Sequence, residues 1–187
     1  MARVKRNIVT QGLSGMLGNS LVFRQRGDQT IVSAAPIRDR EPSPSQTAAR
    51  TRFLQGVQYA KGQLQYPASR SAYQAVVNDR VTSAYIAAMR DFLQVPEVQA
   101  VDASGYDGSI GSQLRITAFD DFEAAAVSVR IERATGTFVE AGNAVQQTNG
   151  NEWLYTATST NGTPAGSRII VTAVDRPGNT REATFTI

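Results

Sequence analysis

From Gln113 to the carboxy terminus, apolar residues recur at every second position, in short runs broken by glycine, proline, asparagine and aspartate. Leu114, Ile116 and Ala118 alternate with Arg115 and Thr117, and Val127, Val129 and Ile131 alternate with Ser128, Arg130 and Glu132. Successive side chains of a strand point to opposite faces, so this period describes strands that bury one side only. Further strands are expected over 137–141, 152–158, 168–174 and 182–187, with turns through Gly162 to Gly166 and at Asp175-Arg176-Pro177-Gly178-Asn179. A poorly marked segment at 98–101 completes a set of about seven, the number expected of a small antiparallel sandwich. Trp153, the one tryptophan, is then the natural filling between its two sheets.

Upstream the period lengthens. Ser43-Pro44-Ser45-Gln46 offers a capping serine, a proline at the first helical position and a glutamine three residues after the cap. Phe53, Val57, Ala60 and Leu64 follow at helical spacing, which predicts an amphipathic helix ending near Pro67 with these four on its buried face. Second and third helices are expected over 69–77 and 80–93, the latter burying Tyr85, Met89, Phe92 and Leu93. Before them, 21–26 and 30–33 flank Gly27-Asp28-Gln29 as a β-hairpin behind a glycine-punctuated arm. A lone hairpin is marginal in water, so its edges are expected to find a partner strand or the helices. Pro96, Gly105, Gly108 and Gly111 punctuate the junction between the two patterns. The fold expected is α+β and two-domain: a hairpin-plus-helices domain over 1–97 and an Ig-like antiparallel β-sandwich over 98–187.

Charge divides at the same place. Residues 1–100 hold 13 basic and 6 acidic side chains, and residues 101–187 hold 6 and 10, so a net of +7 precedes a net of −4. The chain has no cysteine and no histidine, which excludes disulfides, thiolate nucleophiles, imidazole-based zinc sites and every serine–histidine–aspartate arrangement. No apolar run has the length of a membrane span. The basic start, Met1 to Arg6, is not followed by the apolar stretch of a secretory signal, so synthesis and folding in a cytoplasm are expected, with release, if any, as part of a particle.

Two stretches resemble known proteins. Ile116-Thr117-Ala118, Val127 to Ile131, Gly142, Trp153-Leu154-Tyr155 and Val171-Thr172-Ala173-Val174-Asp175-Arg176-Pro177-Gly178-Asn179 resemble bacterial Ig-like domains, which close on a similar T-A-x-D-x-x-G-N run. The resemblance implies a stalk, an adhesive tip, or a glycan or protein binder. Gly15 to Arg24 and the helix opening carried by Pro42, Gln46, Arg50 and Phe53 resemble small uncharacterised bacterial and phage proteins with a P-x-x-x-Q-x-x-x-R-x-x-F helix. Where those often continue R-x-A-W, this chain has Arg70-Ser71-Ala72-Tyr73. That resemblance implies particle-associated or phage-derived biology.

No catalytic, cofactor or metal residue is assigned from the sequence. The nearest to a metal site is an acidic set, Asp120, Asp121, Glu123 and Asp175, placed by an Ig-like topology at one end of the sandwich as oxygen ligands for calcium. Against it stands a plainer role, with Asp175 closing its own turn and the others solvated. Arg24, Arg26, Arg38 and Arg40 are the candidate partner-binding residues, because arginine pairs with carboxylates in a bidentate manner. Nucleic acid is the lesser target, since no reader motif accompanies the basic half. Glycoside hydrolysis has carboxylates available but no sugar-binding aromatics. The expectation is a non-enzymatic structural or interaction protein without cofactor, docking through its amino-terminal domain onto protein partners or copies of itself. A phage or phage-derived particle, including a contractile injection system that it serves as component or cargo, is the first candidate assembly. A surface adhesion or glycan-binding module and a nucleic-acid-associated basic protein are the alternatives.

Overall fold

The computed structural model describes residues 2–4, 8–10, 12–27, 29–36, 41–120 and 122–187, of which residues 2–4 are described by their backbone alone. The chain forms two compact units, Met1–Thr47 and Ala48–Ile187. The division expected at 97/98 falls inside the second of these. Among the described residues the fold is α+β, with three helices and three antiparallel sheets.

In the first unit the expected hairpin is present as β3 (Leu21–Arg26) and β4 (Gln29–Ala34), preceded by β1 (Ala2–Val4) and β2 (Gly15–Leu17). The hairpin's outer edges are taken within the chain, because the sheet runs β1-β4-β3-β2. The β2 strand pairs with Leu21 to Phe23, and among the described residues no strand pairs with Arg24 to Arg26 on that side of β3. Gly27 closes the turn at φ +59°, a conformation open to glycine at little cost. Thr30 is the one buried residue described in this unit, and its hydroxyl donates to the Thr10 carbonyl at 2.9 Å. Ser43 forms the reciprocal cap that its sequence predicts: its hydroxyl accepts from Gln46 N at 3.3 Å, and its own N–H donates to Gln46 Oε1 at 3.1 Å.

The helices are α1 (Pro44–Gln63), α2 (Pro67–Ala75) and α3 (Ala84–Leu93). The buried face of α1 is in part the expected one, with Val57 and Leu64 half-buried beside it. Gly56 and Ala60 are buried, whereas Phe53 is 48% exposed. A Cβ at Gly56 would stand 3.3 Å from the Phe92 ring and 3.4 Å from Leu93, so the bare Cα leaves room for these two side chains of α3. Likewise α3 buries Ala84, Ala87, Ala88 and Asp91, and holds Tyr85, Met89, Phe92 and Leu93 at its half-buried flanks. Small residues allow close backbone approach, and the large side chains then close the sides of the contact.

The remaining strands are β5 (Glu97–Asp102), β6 (Gln113–Phe119), β7 (Ala124–Glu132), β8 (Phe138–Asn143), β9 (Val145–Gln146), β10 (Glu152–Thr156), β11 (Arg168–Asp175) and β12 (Thr180–Thr186). One sheet runs β5-β6-β10-β9 and the other β12-β11-β7-β8. In immunoglobulin terms β5, β6, β10 and β9 are strands A, B, E and D, and β7, β11 and β12 are C, F and G, with β8 added beside C. The alternating residues Leu114, Ile116, Ala118, Val127, Val129, Ile131, Ile169, Val171 and Ala173 fill the space between the sheets. Trp153 joins them at 4% exposure. A separate apolar cluster of Ala60, Tyr73, Ala84, Ala87 and Ala88 lies among the helices, and Phe122, from the β6–β7 connection, packs against it.

Candidate functional site

The helices meet one end of the sandwich, and the Asp-Arg-Pro-Gly-Asn corner after β11 makes the junction. Gly178 holds φ +93°, which turns the chain so that Asn179 folds back over Asp175. The Asn179 N–H donates to Asp175 Oδ1 at 2.6 Å, and its side-chain amide donates to Asp175 Oδ2 at 2.7 Å. The same amide lies 2.9 Å from the Gln94 carbonyl and 3.2 Å from that of Phe92. It thereby satisfies acceptors at the end of α3 that have no partner within the helix. Arg52 of α1 reaches the same end, its Nη2 lying 3.3 Å from the Leu93 carbonyl and 3.4 Å from Asn179 Oδ1. Arg176 turns the other way. Its Nη2 donates to Ser69 Oγ at 2.9 Å, and its guanidinium lies over the rings of Tyr73 at 5.3 Å and Phe122 at 5.7 Å.

Beneath this corner three carboxylates converge. Asp91 comes from the buried face of α3, Asp120 from the end of β6 and Asp175 from the end of β11, and one oxygen from each lies within 4.8 Å of the others. Asp91 is only 1% exposed. Its Oδ2 accepts from the Tyr73 hydroxyl at 2.5 Å, and Tyr73 is in turn 3.0 Å from the Tyr59 hydroxyl. Asp120 Oδ2 accepts from Phe122 N at 3.3 Å. Oδ1 of Asp91 and Oδ1 of Asp120 are buried with no hydrogen-bond partner among the described residues.

Burial pushes the Asp91 carboxyl up to about 7; the charges of Asp120 and Asp175 add to this, while the Tyr73 hydroxyl and Arg176 oppose it. Asp175 is also raised, by burial first, against the downward pull of its bonds from Asn179. The Tyr73 phenol is raised as well, chiefly by burial and then by its hydrogen bond to Asp91.

The structure therefore brings together two residues of the sequence-derived acidic set, Asp120 and Asp175. Glu123 is exposed and outside the cluster, and Asp121 lies outside the described residues. Asp91 takes the place they were expected to fill. Its signal in the sequence was its register, since Ala84, Ala87, Ala88 and Asp91 fall on one helical face and a carboxylate there is buried with the alanines. Of the candidate partner-binding arginines, Arg24 and Arg26 are exposed on β3, two residues apart and hence on one face of the first unit's sheet. Arg38 and Arg40 lie outside the described residues. Trp153 is core, and so offers no surface for a sugar ring to stack on.

No protein-family model matches the chain, and no curated protein matches it. Among solved structures it is similar to CopC from Methylosinus trichosporium OB3b, at 18% identity and a TM-score of 0.36, over 49% of this chain and 89% of that one. It is also similar to the surface layer protein SbsC, domains 1–6, at 17% identity and a TM-score of 0.33, over 75% of this chain. It spans only 23% of that surface-layer chain. The strand order of the two sheets, β5-β6-β10-β9 and β12-β11-β7-β8, is that of an Ig-like sandwich. No helix among the described residues is long and apolar enough to cross a membrane.

Proposed function

We propose that this chain is a non-enzymatic structural or interaction protein whose amino-terminal sheet docks it onto a protein partner in a larger assembly, with the Ig-like unit as its second module. The observation that carries this reading is the state of the first sheet. Directly opposed residues of antiparallel strands share a face, so Leu17, Leu21 and Ala34 lie on one side with Phe23 and Val32. Leu17, Leu21 and Ala34 are exposed and the other two only half-buried. The opposite side carries Met16, Val22, Arg24 and Arg26, of which only Val22 is better than exposed. Among its described side chains this sheet buries only Thr30, and an exposed apolar face of this kind is a hallmark of a protein contact.

Arg24 and Arg26, on the other side of the sheet with the exposed Met16, supply a second contact there, by pairing with carboxylates on the partner. The resemblance of the arm and of the helix opening to phage-type proteins makes a phage-derived particle, such as a contractile injection system, the first assembly to examine. Replacing Arg24 and Arg26 together by glutamate is expected to abolish co-purification with the native assembly while leaving the circular dichroism of the sandwich unchanged. Normal incorporation of that double variant, with loss of binding instead on substitution of the sandwich loops, would refute docking through the sheet and support an adhesive role for the Ig-like unit.

A further inference from the structure

We propose that Asp91, Asp120 and Asp175 bind one hard divalent cation, of calcium's size and chemistry, which ties helix α3 to the end of the sandwich. Ligand chemistry sets the class of ion. The three converging acidic groups offer carboxylate oxygens, and oxygen sites select calcium, magnesium or manganese over softer metals. Geometry admits the larger ion. Oxygens bound to one calcium at about 2.3–2.6 Å are separated by at most about 5 Å, whereas opposite ligands of magnesium are held at about 4.1 Å. The three oxygens here lie within 4.8 Å of one another, so calcium can bridge them without drawing the elements together.

The second and independent observation is the state of the oxygens themselves. Asp91 Oδ1 and Asp120 Oδ1 are buried without a hydrogen-bond partner among the described residues, and Asp91 is almost wholly enclosed. A buried carboxylate oxygen without a donor is costly, and a bound cation removes the cost for both at once. Charge balance points the same way. Arg176 is the guanidinium that acts on Asp91, and it is committed to Ser69 and to the Tyr73 and Phe122 rings. A divalent ion would favour the charged form of all three carboxyls, which burial and their mutual repulsion now oppose. Cavities border the cluster on two sides, one of about 230 Å³ lined by Asn78, Arg80, Arg90 and Phe122 beside Asp91, and one of about 350 Å³ lined by Gln94, Glu97 and Phe119 beside Asp120.

The test is calorimetric titration of the full, chelator-stripped chain with calcium chloride, alongside its melting temperature. The expected result is one calcium per chain and a higher melting temperature with calcium than with chelator. Asp91→Asn and Asp120→Asn each keep an oxygen for their present donors, Tyr73 and Phe122 N, and so preserve the fold. Each should weaken calcium at least about tenfold, because affinity in oxygen sites follows the charge of the ligand set. Terbium, a luminescent ion of calcium's size, gives a second readout. Tyr73 donates to Asp91 and should sensitise its emission, and calcium should quench that emission by displacement. Absence of binding at millimolar calcium, preference for magnesium, or unchanged affinity in both variants would overturn the proposal.

Discussion

Asn179 is the residue on which the junction of the helices and the sandwich should most depend. Its side-chain nitrogen has two hydrogens, and its two shortest contacts are Asp175 Oδ2 at 2.7 Å and the Gln94 carbonyl at 2.9 Å. The first bond is to an ionisable acceptor and contributes about 1.5–3 kcal/mol; the second is neutral and contributes about 0.5–1.5 kcal/mol. Asn179→Ala removes both and leaves an oxygen of the buried Asp175 without its donor, so a loss of about 2–4 kcal/mol is expected. Asn179→Asp has nearly the same shape but replaces the donor by another carboxyl beside Asp175 and the carbonyls of α3, and should cost more than alanine does. Urea unfolding of the full chain in chelator measures both, with the midpoint falling and the slope unchanged. If Asn179→Asp proved as stable as the native chain, or if Asn179→Ala cost less than about 0.5 kcal/mol, the amide would not be the tie between α3 and the corner, and the assignment of its hydrogen bonds would be wrong.

Four further outcomes are expected. Trp153→Ala should cost about 3–5 kcal/mol in urea unfolding, and native Trp153 fluorescence should be blue-shifted and resistant to aqueous quenchers. Gly108→Ala should destabilise far more than Gly150→Ala, as read by melting temperature: both positions have positive φ, but a Cβ at Gly108 would lie 2.3 Å from the Asn161 carbonyl oxygen and one at Gly150 would meet open space. The Glu132 carboxyl is held below its ordinary value, by its hydrogen bond from Arg130 first and then by the charges of Arg130 and Arg168. Its contribution to stability is therefore full above the unfolded-state pKa and lost as pH falls through the folded one, so Glu132→Gln should flatten the acid limb of a stability–pH curve. A fragment of residues 98–187 should fold to a β-rich domain by circular dichroism, because its core is a cluster of its own, but should melt below a fragment of 48–187 that keeps the partners of Arg176 and Asn179. An unfolded 98–187 fragment would show that the sandwich depends on its helical end.

Local chemistry made much of this molecule legible from the sequence. Alternation between Gln113 and Ile187 specified the strands and their inward residues, because a strand's two faces are set by adjacent positions alone. Ser43 and Gln46 announced the start of α1 for the same reason, since a capping box closes within four residues. The end of the sandwich where Asp120 and Asp175 meet could also be reasoned from strand order.

What the tertiary structure decided was which surfaces came together. Phe53 carries the right period for a buried face, yet Gly56 is the residue α3 selects, because closeness of two helices depends on what the second helix presents. Asp91 lies 84 positions before Asp175 and reads locally as one more charge on a helix. It becomes the centre of the acidic cluster only because α3, lined with alanines, is pressed against the corner that Asn179 caps. Periodicity reports the environment averaged over neighbouring turns. The partners of one carboxylate, and hence its charge and its capacity to hold an ion, are set by packing between elements far apart in the chain.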